Sequence, residues 1–172
     1  DAGEAISGVV MKLTIDSDVL VYAFVKPTKK IYKEQFEEFA ALHDKADRIY
    51  KSVIRGDHEL VIPSTVLIEV AIVMSRIVGG DIAKAVYERL KGHTTEILYL
   101  NENFTAYCVD RGIKTHLSGF DTVVFACADY RDSELITNDR RLFRNVKKHH
   151  PGTKTHFLRE MDADEIEYLS MV

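Results

Sequence analysis

Short runs of branched aliphatic residues alternate with helix-patterned stretches along the whole chain. The runs are Lys12–Ile15, 60–62 ahead of Pro63, 96–100, Glu134–Thr137 and a weaker one at 155–158. Between the first two, residues 28–55 carry Ile31, Tyr32, Phe36, Phe39, Leu42, Ala46, Ile49, Tyr50 and Val53 at three- and four-residue spacing. That is the pattern of one buried helical face and predicts a long helix. Residues 64–78 open on the capping signal Pro63-Ser64-Thr65 and stop at Gly79-Gly80. Further helical stretches cover 81–91, 101–111, 121–130 and 139–148. Strands that alternate with helices pair in parallel and bury both sheet faces, so the pattern predicts a single three-layer α/β domain with a mostly parallel central sheet.

Length sets the outer bounds. With 172 residues, 46% hydrophobic and 29% charged, the chain has the size of one domain with a real core and is not disordered in composition. The domain is read over residues 11–160. Residues 1–10 read as a non-native or disordered leader ahead of Met11, and 161–172 as an acidic terminal helix or tail. No run approaches the ~20 apolar residues of a membrane span, and the first ten lack the basic start of a secretory signal. Cys108 and Cys127 show no CxxC spacing, which argues against structural zinc. Both read as buried free thiols, in keeping with a cytoplasmic protein. A net charge of −4 excludes a strongly basic nucleic-acid coat but leaves room for local basic patches.

Four acids stand in marked contexts. Asp16 and Asp139 follow apolar runs, at the strand ends where open α/β sheets bind ligands. Asp121 opens a helix after Leu117-Ser118-Gly119-Phe120. Glu69 lies about one and a half turns into its helix, among Val66, Leu67, Ile68, Val70, Ala71, Ile72 and Val73, which predicts a helix buried nearly all round. Asp121 and Asp139 could each simply cap a helix. Asp16 could cap one starting near Val19, although Asp18 is better placed for that. Glu69 resists such an account, because a buried charge is costly without a partner. Two like charges ~4 Å apart cost about 4 kcal/mol at an effective dielectric near 20. No Lys or Arg lies within three residues of Glu69. Four converging carboxylates would make an oxygen cage for a hard cation, Mg²⁺ or Mn²⁺, and so point to phosphodiester chemistry.

Three segments carry a family resemblance: Leu13-Thr14-Ile15-Asp16-Ser17-Asp18-Val19-Leu20; Pro63-Ser64-Thr65-Val66-Leu67-Ile68-Glu69-Val70; and 117–126 together with Leu135-Ile136-Thr137-Asn138-Asp139-Arg140-Arg141-Leu142-Phe143. Taken in order, the chain resembles the PIN-domain family of metal-dependent ribonucleases, most closely its VapC-type toxins. The resemblance implies a PIN-like fold, Mg²⁺ or Mn²⁺ as cofactor and hydrolysis of single-stranded RNA. It also implies a homodimer and, for toxins, an inhibitory antitoxin protein. Asp16, Glu69, Asp121 and Asp139 would take the family's catalytic and metal-binding positions. Thr137 matches the family's small hydroxyl residue, and Asp18 stands where the family often has Asn. Thr137, Asn138, Arg140, Arg141 and Lys30 are candidate substrate-binding residues. Arg140 begins a stretch to Lys154 with six Lys or Arg and no acid, suited to a phosphate backbone, single-stranded or structured. Three other readings remain: an RNA-processing PIN nuclease without an antitoxin; a HAD-like phosphatase with Asp16 as nucleophile and Asp18 as general acid; and a PIN-fold protein that binds RNA or a partner without cutting.

Overall fold

A computed structural model describes residues 10–171; residues 1–9, most of the segment read as a leader, and Val172 lie outside the described residues. Five parallel strands, β1 (Lys12–Ile15), β2 (Glu59–Pro63), β3 (Glu96–Leu98), β4 (Glu134–Thr137) and β5 (Thr155–Phe157), form one sheet in the order β3-β2-β1-β4-β5. The third run is shorter than its 96–100 pattern, and Tyr99 and Leu100 are exposed. Helices α1 (Ser17–Phe24), α3 (Phe36–Arg55), α4 (Ser64–Val78), α5 (Gly80–His93) and α9 (Ala163–Ser170) form one layer on one face, in which α1 packs on α3 and α4, α3 on α9, and α4 on α5. Helices α6 (Glu102–Thr115), α7 (Gly119–Arg131) and α8 (Arg140–His149) cover the other. Leu60 and Ile62 of β2 join the first layer's core, while Val61 between them packs with Phe104, Cys108 and Cys127 of the second. This is the period-two consequence of burying a parallel sheet on both faces. Both thiols are buried and free, and burial pushes Cys108 up to about 11 and Cys127 to about 12.

Handedness determines where a site can form. Right-handed crossovers from β1 to β2 to β3 run toward one edge, and the crossover from β4 to β5 runs toward the other. The connections therefore diverge between β1 and β4, and the carboxyl ends of those two strands flank the crevice.

The long helix expected over 28–55 is broken. It forms a short α2 (Lys29–Tyr32), a 3-10 turn (Lys33–Gln35) and then α3, with Lys33 at φ 45° and ψ −112°. Seven residues of continuous helix would separate Tyr32 and Phe39 by about 10 Å. Their rings instead lie 4.7 Å apart, because α2 folds back onto α3. Apolar spacing alone is the same for one helix or two. Between α4 and α5 the chain turns on Gly79, at φ 89° and ψ 163°, a conformation in effect reserved for glycine.

The acidic C-terminal stretch is a helix. Ile166 and Leu169 of α9 are buried, and Arg55 donates to the Ser170 carbonyl at 2.7 Å. His156 on β5 fastens this helix to the sheet. Its Nε2 shares a hydrogen bond with Glu134 at 2.7 Å and its Nδ1 one with Glu165 of α9. Burial works against the Glu134 charge, but hydrogen bonds from His156, Tyr168 and Lys154 outweigh it and hold its pKa at about 2. Replacing His156 with Ala leaves Glu134 half-buried without that partner. We expect a loss of about 2 kcal/mol in chemical denaturation, below the range for a fully buried pair because Glu165 is partly exposed. An unchanged midpoint would show that α9 is held by its apolar face alone.

Candidate metal centre

Asp16 leaves β1 at the divergence point, its amide bonded to the Ile136 carbonyl of β4 at 2.9 Å. It occupies the N-cap of α1 and accepts from Ser17 N–H at 2.8 Å. Asp18, which the sequence favours for that cap, lies inside the first turn and accepts from the amides of Val19 and Asn138 instead. Across the crevice Asp139 caps α8, with one oxygen on the amides of Arg141 at 2.7 Å and Leu142 at 2.9 Å. Asp121 is the third residue of α7 and accepts from Ser118 Oγ at 2.5 Å; it does not cap the helix, since Ser118 holds the N-cap position.

Thr137 ties these ends together. Its hydroxyl donates to Asp16 Oδ2 at 2.8 Å and accepts from the Asp139 amide at 3.0 Å. It is fully buried. Its proton goes to Asp16 and it accepts the Asp139 backbone amide, so both bonds tie it to the two acids. Glu69 is half-buried on α4, but the helix is not enclosed all round, since Ile68 is 56% and Ile72 46% exposed. An apolar run cannot distinguish burial in the core from a surface awaiting a partner. Asn138 sits between strand and helix, with its side-chain oxygen buried and unpartnered. Arg140 is exposed and pairs with Glu160 at 3.0 Å; Arg141 and Lys30 are exposed.

The charges feel one another. Burial pushes the Asp16 carboxyl up to about 6, against hydrogen bonds from Thr137 and Ser17, and the charges of Glu69 and Asp121 add to the rise. Burial, then the charge of Asp16, pushes Asp18 to about 8, with Asp139 adding to it. Among the described residues no Lys or Arg forms an ion pair with Asp16, Asp18, Glu69, Asp121 or Asp139. The donor set is all oxygen and short of positive charge, which fits a hard divalent cation. As the side chains stand, no three His, Cys, Asp or Glu among the described residues are grouped closely enough to hold an ion. The set fits in chemistry and in charge.

Beside this crevice α8 forms a shallow groove of about 510 Å³ lined by Arg140, Arg141, Arg144, Asn145, Lys148 and His149. Among the described residues Arg141, Arg144 and Lys148 have no acidic partner. Sequence reasoning missed Ser118, and read Asp18 mainly as a departure. The run Ser-x-x-Asp at 118–121 was the available signal for the first.

A raised acid pKa means that stability is fully present below the unfolded value near 3.8 and is lost as pH rises through the folded value. In metal-free protein, Asp18→Asn should therefore melt above the wild type at pH 8 by on the order of 2 kcal/mol, a gap that closes toward pH 4. Thermal melts across that range check this, and a gap independent of pH would contradict it.

The family model described as PIN domain matches residues 13–149. No curated protein matches the chain. Among solved structures, the VapBC2 of Rickettsia felis bound to a DNA fragment from their promoter superposes with a TM-score of 0.58 at 14% identity. The match covers 86% of this chain and 98% of that one.

Proposed function

We propose that this chain, which belongs to the PIN domain family, is a nuclease that hydrolyses phosphodiester bonds of single-stranded RNA with Mg²⁺ or Mn²⁺. The observation that carries the reading is the set of acids without basic partners at the divergence of β1 and β4. Membership of the family favours it over the phosphatase reading through Asp16 and Asp18. Asp16, Glu69, Asp121 and Asp139 hold the metal. When bound, it supplies a nucleophilic water at neutral pH and offsets charge on the phosphoryl oxygens. Thr137 fixes the mutual position of Asp16 and Asp139. Arg140, Arg141 and Lys30 bind backbone phosphates, and Asn138 lies at the crevice between them.

The likeness to VapBC2 supports a toxin of a toxin–antitoxin pair, with an antitoxin protein and a second copy of this chain as partners. The exposed Ile68 and Ile72 of α4, which line a groove of about 420 Å³ with residues of α5, supply an apolar surface for such contacts. No described helix is long and apolar enough to cross a membrane, and action in the cytoplasm fits that.

Asp16→Asn and Glu69→Gln should each lower Mn²⁺-dependent cleavage of a labelled single-stranded RNA by at least ~100-fold without lowering the melting temperature. A folded Asp16→Asn protein that cuts at the wild-type rate would sink the proposal. Arg144→Ala and Lys148→Ala should each weaken RNA binding at all sequences. Each should also flatten the slope of log affinity against log salt by about 0.7, the single-strand value for one phosphate contact. A parallel salt dependence would remove α8 from the RNA path.

A further inference from the structure

Beside the metal centre lies a recess of about 280 Å³, closed by α1, α3 and α4 and by the chain around α2. We propose that it receives one unstacked base of the RNA, an inference that rests on the nuclease reading for the identity of its ligand. Its walls are aromatic. Phe39 lies at the centre, with Tyr22 at 5.9 Å and Tyr32 at 4.7 Å between ring centroids. Val73 and Ile77 of α4 form the opposite side. Single-stranded nucleic acids are held by such π-faces, onto which bases splay from the backbone.

Ser17 and Asp18 also line the recess, and both belong to the turn that follows Asp16. Asp18 also accepts the Asn138 amide from the far side of the crevice, so recess and metal centre share a wall. A base seated among the rings would direct its hydrogen-bonding edge toward Ser17 and Asp18, with its phosphate toward the acids.

Charge argues for a nucleotide over an apolar protein side chain. Lys26, Lys29, Lys30 and Lys33, all exposed, surround the segment that supplies Pro27 and Tyr32. Lys29 lies 5.6 Å above the Phe36 ring. Cations around an aromatic slot with polar groups in its wall are what a base with flanking phosphates requires. The break in the expected long helix gains a role here, since only the folded-back α2 brings Tyr32 over Phe39.

The test uses the full chain in EDTA, where binding can be read without cleavage. A short labelled single-stranded RNA is compared with copies carrying one abasic nucleotide at each position in turn. In the wild type one position should weaken binding about tenfold when its base is removed. Tyr22→Leu and Phe39→Leu should reduce that effect to under about twofold, and Tyr22→Phe, which keeps the ring, should preserve most of it. Added Mn²⁺ should then place the cut next to that nucleotide. Equal binding at all positions, or variants that keep the full effect, would overturn the inference and leave the recess to a protein partner. Base-dependent binding without any cleavage would instead overturn the nuclease reading alone.

Discussion

One hydroxyl carries the geometry of this molecule. Thr137 Oγ sits at the end of β4, donates to Asp16 at the end of β1 and receives the Asp139 amide at the start of α8. A hydroxyl has one proton to give and lone pairs to receive, and here both capacities serve the crevice. The two strands are neighbours whose connections run in opposite directions, so their ends are registered by the ladder, by this contact and by the Asn138 amide on Asp18. The buried contact fixes the separation of two acids that would otherwise repel.

What makes the crevice reactive also makes it costly. Asp16 and Asp18 are raised by burial and by neighbouring charge, so the metal-free protein carries strain at neutral pH. Two helix starts relieve part of it. Asp16 caps α1 and Asp139 caps α8, which places both carboxylates against unpaired amides at positive dipole ends. Capping and metal ligation are thus compatible: Asp139 keeps its helix with one oxygen, and each Asp16 oxygen, held by Ser17 N–H or by Thr137, retains a further lone pair. The rest of the deficit is met away from the site, by a core of fully buried strands and by the clasp of His156 on Glu134 and Glu165.

Much of this was legible in the chain. Strand–helix alternation implied the parallel sheet, and the place of Asp16 and Asp139 after apolar runs put them at strand ends. Glu69 was marked by company that offers a charge no relief. Other features were not legible, for physical reasons. The break at Lys33 leaves the apolar spacing intact and depends on a contact between Tyr32 and Phe39. The contacts of Thr137 with Asp16 and Asp139 were not legible because strand ends in sequence carry no record of what lies across the crevice. His156 pairs with residues 22 and 9 positions away, and only the docking of α9 brings Glu165 within reach. Exposed Ile68 and Ile72 were misread as core, since hydropathy reports a preference for leaving water and not what will cover the surface.

The charge pattern links these parts. A net charge of −4 would repel a polyanion if spread evenly. It is not spread evenly: acids collect at the divergence of β1 and β4, while Arg140, Arg141, Arg144 and Lys148 line α8 on one side. Lys26, Lys29, Lys30 and Lys33 stand on the segment at the other side. On the proposed reading an approaching RNA would meet these cations first, so its backbone would be attracted to the flanks before it reached the centre. There the acids would hold off the phosphate to be cut unless a divalent ion intervenes, although a base could already sit in the adjoining recess. On the proposed reading, attachment depends on the flanking cations and cutting on the metal, within one small domain.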